Sequence, residues 1–155
     1  MQPRPASASS AEATHFVMPG LTNVHGTIFG GIVMQWIDEI AAVAATRHCC
    51  GPVVTAAVDA LHFIEPIQLG ALVVLKAQVN FVATTSLEVG VRVEVENPAT
   101  GERRRTTRAY LTFVAVDAHG RPRPVPPLAV STDDERRRQQ EAAARRAARL
   151  AQRRA

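Results

Sequence analysis

An α+β fold, with a curved antiparallel sheet wrapped around one long helix, is what this 155-residue sequence predicts. Three observations lead there. Ile32 to Ala45 is almost wholly apolar, broken only by Gln35, Asp38 and Glu39, and a helix apolar nearly all round is a buried helix. From Ala71 onward apolar residues recur at every second position, the period of half-buried strands. Short clusters of turn-forming residues separate those strands, which makes them an antiparallel meander. A single helix is buried by such a chain only if the sheet curls around it.

The elements follow in order. Residues 1–13 are rich in Ala, Ser and Pro and read as a disordered leader. A short strand is expected around residues 14–18, ended by Pro19 and Gly20. A loop carrying Asn23, His25 and Gly26 leads to Gly30 and Gly31, which open the long helix through about His48. Gly51 and Pro52 break the chain, and a Val/Thr-rich strand is expected over residues 53–63. Ala71, Val73, Leu75, Ala77, Val79 and Phe81 form one face of the next strand. Leu87, Val89, Val91, Val93 and Val95 alternate with Glu88, Gly90, Arg92, Glu94 and Glu96 in the one after it. Asn97-Pro98-Ala99-Thr100-Gly101 is a hairpin loop by composition, and a last strand runs from about Arg103 to Val116. Prolines at 122, 124, 126 and 127 predict an extended strap. Ser131/Asp134 and Thr132/Glu135 have helix-start spacing, so a final solvated helix is expected to residue 155, with Leu150 its one large apolar residue. The expected units are thus a leader (1–13), a domain (14–130) and an Arg-rich helix (131–155).

Composition bounds the function. Hydrophobic residues make up 46% and charged residues 21%, a globular balance that excludes wholesale disorder. The longest apolar run falls short of the roughly 20 residues of a bilayer span, and residues 1–13 hold no apolar signal segment. The net charge of +4 belongs to the tail: through Ser131 ten Lys/Arg balance ten Asp/Glu, whereas eight Arg face four acids beyond it. The basic character is therefore weak evidence for nucleic-acid binding, and neither nucleic acid nor membrane is an expected partner. Cys49 and Cys50 are adjacent and make a poor staple, as fits inert thiols in a reducing cytoplasm. His15, His48, His62 and His119 have no metal-ligand spacing, and no metal is expected.

The chemically loaded segment runs from Met18 to Glu39. The first N–H groups of a helix lack internal partners and carry the positive end of its dipole, so glycines at Gly30 and Gly31 let a phosphate or a developing oxyanion approach. They serve equally for a tight turn. Asp38 and Glu39 stand about 100° apart on the helix and cannot form a facing acid/base pair; one faces a site, or both serve structural ion pairs. Asn23 is suited to orienting a water or carbonyl without titrating.

Met18-Pro19, Asn23, Gly26, Phe29-Gly30-Gly31, Met34 and Asp38-Glu39 together resemble the pattern of the cytosolic acyl-CoA hydrolases, thioesterases of the hotdog fold. The likeness continues in Thr46-Arg47-His48-Cys49, Val54-Thr55, Val58-Asp59, Phe63, Pro66, Gly70, Thr112-Phe113-Val114 and Gly120-Arg121. The resemblance implies hydrolysis of acyl-CoA to free acid and CoA, without a cofactor beyond the CoA of the substrate. It implies Asn23 and Asp38 as the catalytic pair, Gly30 and Gly31 as oxyanion donors, and a homodimer as active unit assembled into a hexamer. In the turn where relatives often carry Gly-Arg-Ser-Ser this chain has Ala83-Thr84-Thr85-Ser86, so CoA contacts are expected at Thr85 and Ser86, with Arg121 supplying charge.

The residues also point to a shared site. Gly31 and Asp38 are seven positions apart on one helix, ~10 Å along its axis at 1.5 Å per residue, while a carbonyl and its attacking water lie about 3 Å apart. One helix does not easily serve both; two helices related by a two-fold axis do. Two rival readings stand beside hydrolysis. His15-Phe16 with Pro19-Gly20 superficially resembles the β-hydroxyacyl dehydratases, in which His15 would act as base. A non-catalytic acyl-CoA sensor is the other.

Overall fold

The computed structural model describes residues 1–154. Its centre is a five-stranded antiparallel sheet: β2 (Ala11–Phe16), β3 (Val53–Val58), β4 (Leu72–Val82), β5 (Ser86–Glu96) and β6 (Arg103–Ala115), in spatial order β2-β4-β5-β6-β3. The helix α1 (Gly30–Cys49) lies across its concave face. Val33, Ile37, Ile40, Ala41, Ala44 and Ala45 of α1 meet the alternate residues Val73, Leu75, Ala77 and Val79 of β4, Val89, Val91 and Val93 of β5, and Ala109, Leu111 and Phe113 of β6 in one core. The alanines let the helix sit close to the sheet, and the β-branched residues stiffen the strands. α1 stops at Cys50, the only non-glycine with positive φ among the described residues (φ 54°), whose N–H donates to the Thr46 carbonyl at 2.8 Å.

The structure departs from the sequence reading in four places. Residues 1–13 are ordered. β1 (Arg4–Pro5) pairs in parallel with β7 (Leu128–Ala129), a 3-10 turn follows at Ala6–Ala8, and buried Ser9 accepts the Val79 N–H through its Oγ at 3.2 Å. Small side chains pack there against β4, and the partner strand comes from the far end of the chain, which composition does not reveal. β3 ends at Val58 rather than near residue 63; beyond it the chain stays against β6 as an irregular segment, with the Asp59 N–H donating to the Tyr110 carbonyl at 3.0 Å and Thr107 Oγ1 donating to the His62 carbonyl at 2.6 Å. α1 is buried on one face only: Met34 and Val43 lie exposed, as do Val54 and Val58 of the edge strand β3. One curled sheet covers one side of a helix, and the other needs a second layer.

The fourth departure is α2 (Asp133–Arg153). Thr132 caps it with Glu135 in the expected capping box, and most of it is solvated. It nevertheless docks on the convex face of the sheet through Ala142, which is fully buried, and through arginines. Arg145 donates to both Glu88 oxygens (3.0 and 2.7 Å) and lies 3.6 Å above the Tyr110 ring, while Arg149 meets Asp59 at 3.3 Å. Glu88, at an outward position of β5, is thereby only 3% exposed. The expected helical reading of residue 155 lies outside the described residues.

Candidate active site

Asp38 lies on the open flank of α1, with its Oδ1 accepting the Thr55 hydroxyl at 2.8 Å. Thr55 is on the edge strand β3, next to a register shift between Thr55 and Ala57. Such bulges re-aim a side chain, and this one stands beside the carboxylate. Thr55 was not among the candidate site residues. Its polar side chain in an apolar edge strand was the available signal, but its pairing with Asp38 is set by how α1 crosses β3.

Asn23 is half-buried and organises its own loop. Its Oδ1 accepts the N–H groups of His25 (2.9 Å) and Thr27 (3.3 Å), and its Nδ2 donates to Thr27 Oγ1 at 2.9 Å. This Asx turn fixes the side chain next to the start of α1, where Phe29 N–H donates to the Leu21 carbonyl at 3.1 Å. Gly30 and Gly31 are exposed, and no side chain caps the helix. Neither glycine has positive φ, and an added Cβ would meet only Phe63, at 3.4 Å from Gly30. Within this chain, then, neither conformation nor packing requires glycine there. The close approach of another group to these N–H donors is the remaining use.

The expected CoA contacts gather elsewhere. The carbonyl of Thr85 accepts the Ala115 N–H (3.0 Å), that of Ser86 accepts the Ala83 N–H (2.8 Å), and Arg121 closes the turn after β6 through its backbone on Asp117. This is the end of the sheet where α1 finishes: Arg123 binds both the Ala115 carbonyl and the Cys49 carbonyl. Gly30 is at the other end, beside Phe63. A 20-residue helix separates them, ~30 Å at 1.5 Å per residue. One chain therefore brings Asp38 together with Thr55, and Thr85 and Ser86 close to the turn of Arg121, but it does not bring the glycine donors near the expected CoA contacts.

The remaining histidines and cysteines do not form a second centre. His15 stacks flat on Trp36, with ring centroids 4.3 Å apart. His48 is fully buried under the proline strap with its Nε2 2.8 Å from the Pro126 carbonyl; burial, offset in part by that hydrogen bond, pulls its pKa below the ordinary histidine value. Burial raises the Cys49 thiol, which disfavours its reactive thiolate. No group of three or more metal-ligating side chains occurs among the described residues, nor does any helix long and apolar enough to cross a membrane.

The model of the thioesterase superfamily matches residues 25–102, the span from the glycine loop to the hairpin after β5. The chain belongs to the thioesterase superfamily. An uncharacterised acyl-CoA thioester hydrolase of Bacillus subtilis is 43% identical over 125 residues, covering 81% of this chain and 73% of that protein. An apo-hexameric acyl-CoA thioesterase matches with a TM-score of 0.93 and 42% identity, over 98% of this chain and 97% of that one. An acyl-CoA hydrolase of Staphylococcus aureus, solved with butyryl coenzyme A, coenzyme A and coenzyme A disulfide, matches with a TM-score of 0.90 and 36% identity, over 97% of this chain and 92% of that one. That hydrolase has also been solved as alanine variants of an aspartate, an asparagine and a threonine. The mouse cytosolic acyl coenzyme A thioester hydrolase is 33% identical over 134 residues, and the chain spans about a third (35%) of its length. The expected family and the curled antiparallel sheet with a long helix and a C-terminal helix are borne out.

Proposed function

We propose that the protein hydrolyses the thioester of acyl-CoA to a free carboxylic acid and CoA. The observation that carries this reading is the Asp38 carboxylate, oriented by Thr55 on an open helix flank, with an uncapped glycine helix start on the same element. Asp38 takes a proton from a water as that water attacks the carbonyl carbon. The N–H groups of Gly30 and Gly31 hold the oxyanion, which collapses as the C–S bond breaks, and the proton goes to the CoA sulfur. Asn23 positions the water or the carbonyl. Thr85, Ser86 and Arg121 contact CoA. Water and a carboxylate suffice for this chemistry, so no cofactor is invoked. In the S. aureus hydrolase the three substituted positions have the same spacing along the chain as Asn23, Asp38 and Thr55, which supports these roles.

The active unit in this reading is a homodimer. β3 is an edge strand with exposed Val54 and Val58, next to the bare flank of α1, and an apolar open edge of this kind calls for a covering partner. A second copy with α1 antiparallel brings its glycine start toward this chain's Asp38 and toward the end where Thr85, Ser86 and Arg121 lie. Assembly of such dimers into a cytoplasmic hexamer is consistent with the hexameric solved relative. The experiment is Asp38→Asn, assayed by release of free thiol from acyl-CoA substrates of graded chain length. The expected loss is at least ~100-fold in kcat, the lower end for a general base. Near-normal turnover would overturn the assignment of Asp38.

A further inference from the structure

Asn23 has a fixed number of hydrogen bonds to make, and its own loop uses most of them. A side-chain amide carries two lone pairs on oxygen and two N–H bonds on nitrogen. Oδ1 accepts the His25 N–H at 2.9 Å and the Thr27 N–H at 3.3 Å, so both lone pairs are taken. Nδ2 gives one N–H to Thr27 Oγ1 at 2.9 Å. Which end of the amide is oxygen follows from these partners, because a backbone N–H only donates. No other partner takes the second Nδ2 N–H among the described residues. The free capacity of this side chain is therefore a single donor, half-buried beside the start of α1.

Thr27 creates that arrangement. Besides the two side-chain contacts with Asn23, its carbonyl accepts the Asn23 N–H at 2.8 Å. Thr27 is held in turn from outside the loop: it bridges Gln68, and the next residue, buried Ile28, donates its N–H to the Ile67 carbonyl at 2.8 Å. Gly26 (φ +77°) supplies the left-handed turn that brings the chain back. Val24 and His25 are exposed at the tip, so the Thr27 hydroxyl stands on the anchored arm of the loop rather than on its free end.

We propose that Thr27 is a positioning residue of the hydrolytic site: it locks the Asn23 amide so that the remaining Nδ2 N–H donates to the thioester carbonyl oxygen, as a third oxyanion donor beside Gly30 and Gly31. This rests on the acyl-CoA reading above and narrows it. An amide whose oxygen is saturated cannot accept from the attacking water. Donation to that water would draw density from the oxygen that must attack, whereas donation to the carbonyl oxygen strengthens as negative charge develops there. The donors then come from the copy that supplies the glycine start, and the water is left to Asp38.

The test is thiol release from acyl-CoA, giving kcat and KM for wild type, Thr27→Val, Thr27→Ser, Asn23→Asp, Asn23→Ala and the Asn23→Ala/Thr27→Val pair, with circular dichroism melting as the check on folding. Thr27→Val removes the acceptor of Nδ2, and kcat is expected to fall about ten-fold with KM changed by less than about two-fold, the effect of one hydrogen bond. Thr27→Ser keeps the hydroxyl and is expected to bring kcat back to within about two-fold of wild type. Asn23→Asp keeps an oxygen for both backbone N–H groups but has no N–H to give; the expected loss in kcat is at least ~100-fold, the lower end for an oxyanion donor. In the Asn23→Ala background Thr27→Val is expected to cost nothing further, because Thr27 acts through the amide it holds. Wild-type kcat in Thr27→Val overturns the proposal. So does the same ten-fold loss in the Asn23→Ala background, which makes Thr27 merely structural, and so does wild-type turnover by Asn23→Asp, which gives the role to the amide oxygen. Thr27→Ser and Asn23→Asp keep the loop contacts and decide the matter if Thr27→Val does not fold. A folded wild-type protein that releases no thiol from any acyl-CoA overturns the hydrolase reading itself, and this role with it.

Discussion

Arg145→Ala separates α2 as an appendage from α2 as part of the fold. The side chain makes two charge-assisted bonds to Glu88 and lies over Tyr110. Burial works against its charge, but the Glu88 carboxylate more than offsets this and stabilises the charged guanidinium. Truncation leaves Glu88, 3% exposed, with only the Asn80 amide as partner. Breaking a fully buried pair costs about 3–5 kcal/mol. The Arg145 side chain is 24% exposed, so screening reduces the expected figure to about 2–3 kcal/mol. For a chain of this size that corresponds to a fall in Tm of about 5–10 °C. Circular dichroism melting and urea unfolding at pH 7 measure it. Turnover at 25 °C should persist, because Glu88 is on the face opposite α1. A change in Tm below about 1 °C, at the level of a median surface pair, would refute the reasoning and return α2 to the status of a solvated tail.

Two other outcomes follow from single contacts. Thr55→Val keeps the shape of the edge strand and removes the hydroxyl on Asp38 Oδ1; kcat should fall by about ten-fold, one lost hydrogen bond near 1.4 kcal/mol, with little change in KM, and an unchanged kcat would show that Asp38 does not need this support. His48 is buried and neutral, with its folded pKa below the ordinary value of about 6.5, so its contribution to stability is complete above that pH and is lost as the pH falls through it. His48→Gln should therefore flatten part of the loss of unfolding free energy between pH 7 and pH 5; an identical pH slope in wild type and variant would contradict this.

The strands were legible where burial is one-sided. Val89, Val91 and Val93 against Arg92 and Glu94 give the period directly, and β5 spans the expected residues with an offset of one. α1 was legible from its composition, and its start at Gly30 from the paired glycines. What stayed hidden depends on contacts between distant segments. Ser9 serves β4 seventy positions away, Arg145 buries Glu88 from the other end of the chain, and Thr55 reaches Asp38 only because a particular helix crosses a particular edge strand. Local period and propensity carry no record of such pairings. The family pattern made Asn23 and Asp38 legible as candidates, whereas the separation of Gly30 from Thr85 and Ser86 along α1 emerges only in three dimensions.

Complementation tests the shared site most directly. Asn23→Ala and Asp38→Asn are prepared separately, each nearly inactive, then unfolded, mixed and refolded together. Random pairing makes about half of the dimers mixed, each with one intact and one doubly damaged site, so thiol release should recover to about a quarter of wild type. If Asn23 and Asp38 act within one chain, every site in every dimer is damaged. No recovery, with subunit exchange verified by mass spectrometry of differentially labelled chains, would contradict a site built from two copies.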